Sequence, residues 1–128
     1  MVHDIEKTVA DYLISNNYTS AAEIGYGGKT YAAEILINAG ISVICTDVHT
    51  YDTTVKSVVD DCFDPDLSIY ECADVIYSIR PGIEMIPAII EIAKKTNSDL
   101  IVYHLGFEYY GSGGEKIEYK GITLHKYN

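Results

Sequence analysis

One stretch, from Ser20 to Asp47, limits more than any other what this chain can fold into. It begins S-A-A-E-I-G-Y-G-G-K-T, continues as an amphipathic run, and ends G-I-S-V-I-C-T-D. A short apolar run ends in glycines, helical spacing follows, and a second apolar run ends in an acid. That order is strand, glycine turn, helix and parallel strand, a βαβ unit whose turn is of the kind that approaches a nucleotide. Ala32, Ala33, Ile35, Leu36 and Ala39 form the buried side of the helix, read over Lys29 to Asn38, and Gly40 stops it. Ile41 to Thr46 is too continuously apolar for an edge strand and reads as buried on both faces.

The rest of the chain fits an α/β alternation. Ile5, Val9, Tyr12 and Leu13 recur at helical spacing over residues 4–15, with Asp4 as the cap. This helix is expected to cover one sheet face, and no chemistry is assigned to it. Val55 to Val59 reads as a third strand. Asp64 to Tyr70 reads as a turn or short helix, and Asp74 to Ile79 as a fourth strand ended by Arg80-Pro81-Gly82. A helix follows from Ile83 to Lys95 with Pro87 in its first turn, then a fifth strand from Asp99 to Leu105. Glu115 to Tyr119 and Ile122 to Tyr127 form an antiparallel hairpin after the flexible Gly111-Ser112-Gly113-Gly114. The expected architecture is a Rossmann-like, doubly wound, mostly parallel sheet with a C-terminal antiparallel hairpin, one domain over residues 1–128.

Three ligand classes use a glycine turn between strand and helix. A triphosphate loop of the form G-x-x-x-x-G-K-[ST] is matched at its end by Gly28-Lys29-Thr30, but Glu23 holds the first glycine's place and would face the phosphates. A dinucleotide fingerprint G-x-G-x-x-G is matched by Gly25 and Gly27 but has Thr30 at its third glycine. The third class pairs an acid with the glycines, and Glu23-Ile24-Gly25-Tyr26-Gly27 has that form. Here it resembles the first motif of S-adenosylmethionine-dependent methyltransferases, whose cofactor carries an ammonium and no pyrophosphate.

The resemblance extends along the chain. Asp47 ends the second strand where these enzymes place an acid on the ribose hydroxyls, and Asp61-Cys62 follows the third strand where they contact adenine. Asp74 to Pro81 stands where the fourth strand lines the transfer site. The segments I-G-Y-G, T-D-V, V-V-D-D-C-F-D-P-D, D-V-I-Y-S-I-R-P and D-L-I-V-Y-H-L-G together resemble uncharacterised protein family 0146, over roughly residues 18–108. The resemblance implies S-adenosylmethionine as cofactor, held by Glu23, Gly25, Gly27, Asp47 and Asp61. It also implies transfer to a small molecule or protein. The chain departs from the superfamily pattern at Lys29, where a glycine is usual. It lacks an Asn-Pro-Pro-Tyr motif and leaves little room for a substrate-holding domain.

Each of these residues also has a plainer reading. Glu23 could be a solvated acid at a strand end, although an acid in so short a buried strand needs a partner. Asp47 could serve only as a cap, and Asp61, like Asp60 and Asp64, could form a turn. Arg80, past the carboxyl end of a parallel strand, could bind substrate or pair with Glu23 or Asp47. Ser78 is the other candidate for substrate, but Tyr77 and Ser78 alternate, so only one of them faces the cleft. His104 could act as a base or serve structure. No spacing of His, Cys and acids suggests a metal site. An alternative from another class is a nucleotide-binding or interaction module without a reaction, and a third is a nicotinamide-binding protein.

The charge narrows the partners. Nineteen acids against nine bases give a net charge of −10, which disfavours nucleic acid. A small nucleotide-type ligand is the expected partner, and a homodimer could supply a lid. No apolar run reaches the ~18 residues of a membrane span, and the first residues lack a signal-peptide pattern, so the cytoplasm is the expected location. Three cysteines without a C-x-x-C spacing make a disulfide framework unlikely to be the organising device.

Overall fold

The structure, a computed structural model, describes residues 4–128. The side chain of Asp4, with the cap assigned to it, and the first three residues lie outside the description. Helix α1 (Asp4–Ser15) leads to strand β1 (Ser20–Ile24), helix α2 (Tyr31–Asn38) and strand β2 (Ser42–Asp47). Strand β3 (Ser57–Val59), strand β4 (Val75–Ile79), helix α3 (Ile86–Thr96), strand β5 (Asp99–Tyr103) and the hairpin β6 (Glu115–Tyr119) and β7 (Ile122–Lys126) complete the order.

All seven strands form one sheet in the order β3-β2-β1-β4-β5-β7-β6. β1 through β5 are parallel, and β7 and β6 add antiparallel. The chain therefore reverses direction of winding between β1 and β4, and ligand clefts open at the carboxyl ends of strands at such a point. The fold is the α/β, mostly parallel sheet with a C-terminal hairpin that the alternation of patterns implied.

Helices α1 and α2 cover one face of the sheet, and α3 covers the other. Val9, Leu13, Ala33, Leu36, Cys45 and Tyr77 pack on the first face, and Ile24, Tyr70, Ile76, Ile86, Ile89 and Leu100 on the second. The two residues Ala22 and Ile24 of β1 thus face α3, while Ala21 belongs to the α1/α2 side, as strand alternation requires.

Several boundaries differ from the sequence reading, and four of them have a local reason. β3 spans only Ser57–Val59, and all three residues are exposed at the sheet edge. α2 begins at Tyr31 because Lys29 donates its N–H back to Tyr26 and closes the glycine turn first. The helix at Ile83 opens as a 3₁₀ turn over Ile83–Met85 and becomes α-helical at Ile86, next to Pro87. β5 ends at Tyr103, so His104 and Leu105 belong to the loop that follows.

Candidate functional site

The glycine turn is built by backbone that L side chains seldom adopt. Gly25, Gly27 and Gly28 have φ of 75°, 61° and 77°. Gly25 donates its N–H to the Thr46 carbonyl at 2.8 Å, and Gly27 donates to Asp47 Oδ2 at 2.9 Å. Asp47 also accepts the His49 N–H on Oδ1 at 3.2 Å. The capping role considered for Asp47 is therefore present: it clamps the turn to the end of β2.

Two cavities flank the turn and share Gly25 and Arg80. The larger, of about 470 Å³, lies at the carboxyl ends of β1, β2 and β4 and is lined in part by Asp47, Asp60, Asp61, Glu84 and Met85. The smaller, of about 170 Å³, is lined by Glu6, Glu23, Tyr26, Gly27, Lys29 and Ile79 besides the two shared residues. The structure thus brings Glu23, Gly25, Gly27, Asp47, Asp61 and Arg80 to one pair of adjacent cavities. Ser78 is not among them. Its hydroxyl donates to the Ile24 carbonyl at 2.7 Å and the residue is buried on the α3 side of the sheet. Alternation turns Tyr77 the other way, toward Glu23.

Glu23 is buried, 4% exposed, between Cys45 on β2 and Tyr77 on β4. Tyr77 donates its hydroxyl to Glu23 Oε1 at 2.8 Å. Burial lifts the Glu23 carboxyl to about 8. The Tyr77 hydrogen bond opposes that shift, and the charge of Glu6 adds to it. Glu6, from α1, is itself buried. Its Oε1 meets Arg80 Nη1 at 3.4 Å, and its Oε2 has no hydrogen-bond partner among the described residues. Glu6, rather than Glu23 or Asp47, is thus the partner that Arg80 finds.

Arg80 takes a left-handed conformation with φ of 54°. Its N–H donates to the Tyr103 carbonyl at 2.7 Å, which continues the β4–β5 pairing past the strand end. Its guanidinium lies 5.6 Å from the centre of the Tyr103 ring. The far wall of the larger cavity is fastened by turns. Asp61 Oδ1 accepts the Phe63 N–H at 2.9 Å, and Asp60 accepts the Asp66 N–H at 3.0 Å and the Tyr70 hydroxyl at 2.7 Å. The turn-forming reading of these acids is therefore met, while Asp61 still lines the cavity.

Glu6 is the site residue that sequence reasoning missed. A signal existed: Glu6 stands in step with Val9, Ala10 and Leu13, so an acid occupies the buried stripe of α1. Among the described residues, no group of three or more His, Cys, Asp or Glu is arranged to hold a metal ion. No described helix is long and apolar enough to cross a membrane.

A parallel sheet in this strand order, with an acid beside a glycine turn and the cavity at its switch point, defines the Rossmann-like class with methyltransferase architecture. Solved structures agree on the fold. A SAM-dependent methyltransferase from Archaeoglobus fulgidus superposes with a TM-score of 0.57 at 12% identity, over 81% of this chain and 55% of that one. A bacterial methyltransferase domain gives 0.64 at 13% identity, over 79% and 65%. This chain therefore spans a little over half to two thirds of the length of those structures. It belongs to the uncharacterised protein family UPF0146, whose family model matches residues 6–127. A UPF0146 protein of Archaeoglobus fulgidus is 36% identical over 119 residues, covering 91% of this chain and 90% of its own length.

Proposed function

We propose that this protein binds S-adenosylmethionine, with the amino-acid end of the cofactor in the smaller cavity and the nucleoside in the larger. The observation that carries this reading is the charge pattern around the glycine turn. Two buried acids, Glu6 and Glu23, and two bases, Lys29 and Arg80, line the smaller cavity. A zwitterionic amino-acid end has one ammonium for the acids and one carboxylate for the bases. The unpartnered Glu6 Oε2 gives the ammonium a ready acceptor, because a buried oxygen without a hydrogen bond is costly to leave as it is.

The larger cavity supports the same reading. Asp47, Asp60, Asp61 and Glu84 stand there against Arg80 alone, a poor setting for a pyrophosphate and a suitable one for hydroxyls and a sulfonium. Each oxygen of Asp47 accepts one backbone N–H and keeps a second lone pair for a ribose hydroxyl. Asp61 stands at the adenine end. The cofactor supplies an electrophilic methyl group on sulfur. The chain's own residues would bind and orient it, and transfer between held partners rests mainly on proximity.

Isothermal titration of the full chain with S-adenosylmethionine, S-adenosylhomocysteine and NAD tests this. Saturable heat is expected with the two adenosyl compounds and none with NAD. Silence with the adenosyl compounds, or equal binding of NAD, overturns the reading. A second reading, binding without transfer, is favoured by the short span of this chain against the methyltransferase structures and by the burial of Ser78. Methylated product from a panel of small-molecule and protein acceptors would separate the two.

A further inference from the structure

A third cavity, of about 450 Å³, lies between the end of β5, the loop that follows it and the hairpin β6–β7. That volume is in the range of small-molecule sites. Its lining is rich in rings: Tyr103, His104, Phe107, Tyr109 and His125, with Lys116 beside them. None of the motifs discussed above accounts for it.

The imidazole of His125 is set for a particular partner. The residue is 6% exposed, and its Nδ1 lies 2.8 Å from the Gly113 carbonyl. A carbonyl only accepts, so Nδ1 carries a proton and Nε2 is the ring nitrogen left to accept from a guest. No described residue hydrogen-bonds Nε2. The close approach that makes this possible requires glycine: Gly113 has φ of 87°, and a Cβ there would stand 3.2 Å from His125 Nδ1. His104 packs edge-on against His125 with ring centres 4.8 Å apart, and its Nε2 lies 2.7 Å from the Tyr127 hydroxyl. Burial holds the His104 imidazole down at about 4, so that ring carries no charge near neutral pH.

The roof of the cavity is apolar and uncovered. Phe107 is fully exposed, and Tyr109 is 53% exposed, although both line the cavity. The Tyr109 ring is parallel to that of His125 within 7°. A flat guest can therefore lie along both in one orientation. The charged groups at the cavity are of both signs, Lys116 with Glu108 and Glu118, which suits an uncharged guest.

We propose that this cavity binds a small, uncharged, planar ring compound bearing a hydroxyl or ring N–H, which donates its proton to His125 Nε2. The site is independent of the cofactor reading and stands without it. Phenol and anisole are the probes, titrated into the isotopically labelled full chain with amide chemical shifts as readout. Phenol is expected to shift residues 103–109 and the neighbours of Gly113 and His125. Anisole, which cannot donate, is expected to bind about tenfold more weakly, the cost of covering the Nε2 acceptor with a guest that does not pair it. Phe107→Ala, a change at a fully exposed side chain that leaves the fold intact, is expected to weaken phenol severalfold. Equal affinity for the two probes, shifts elsewhere on the chain, no shifts, or an unaltered phenol affinity in Phe107→Ala each overturns the proposal.

Discussion

Glu23 is a carboxyl placed where ionisation is costly, and that makes its proton a reporter. In the unfolded chain the group titrates at its ordinary value of 4.5, and in the empty folded protein at about 8. Between these limits the unfolded chain has lost a proton that the folded chain keeps. Stability from this group is then full below 4.5, falls as pH rises through the window, and levels off above about 8. Asp11 and Asp74 have lowered values, so their contributions are lost only below the carboxylate range, whereas His104, held down at about 4, adds an opposite slope between about 4 and 6.5 that is independent of Glu23. Glu23→Gln removes the titration while keeping a partner for Tyr77. Subtracting the variant's urea midpoint from the native chain's cancels the slope that both share, and that difference should fall from about pH 5 to about pH 8. A difference that stays constant with pH would mean that Glu23 does not carry it.

At the scale of elements, the glycine turn joins β1 to α2 and forms the wall between the two cavities. Its glycines are not equivalent. Gly27 and Gly28 share the left-handed backbone, which costs a side chain about 1–2 kcal/mol. A Cβ at Gly27 would meet nothing within 4 Å, whereas one at Gly28 would stand 2.6 Å from the Tyr51 ring. Tyr51 in turn packs edge-on against the buried Tyr26, so it has little freedom to move aside. Gly28→Ala should therefore lower the melting temperature more than Gly27→Ala, and the difference should vanish in a Tyr51→Ala background. The turn was legible because an acid and paired glycines between two apolar runs have few other uses. That neither Tyr77 nor Ser78 lines the cleft was not legible. Alternation says that they part company, and the pairing of Glu23 with Tyr77 across β1 and β4 spends the Tyr77 hydroxyl on Glu23 while Ser78 turns to the α3 side. Glu6 escaped notice for a different reason. Its helix is packed next to the site by tertiary contact, and nothing in its own segment names the partner Arg80, 74 residues further along.

The whole molecule carries its charge unevenly enough to matter for binding. Nineteen acids face nine bases over the chain, and the larger cavity repeats the imbalance with four carboxylates and one guanidinium. A cation approaching that cavity gains from near and distant acids alike, whereas an uncharged molecule of the same shape gains only from contacts. S-Adenosylmethionine and S-adenosylhomocysteine differ by the methyl group and its positive charge, so the pair separates the two contributions. Raising salt from about 10 mM to about 1 M shortens the screening length from about 30 Å to about 3 Å, which removes the distant part and leaves direct contacts largely intact. The affinity for the sulfonium should fall across that range, while the affinity for the thioether should change much less. Titration heats at the two salt concentrations measure both. If the two compounds weaken in parallel, the acidic field plays no part in choosing between them, and any preference for the sulfonium would have to come from direct contacts, since the ammonium held by Glu6 and Glu23 is common to both.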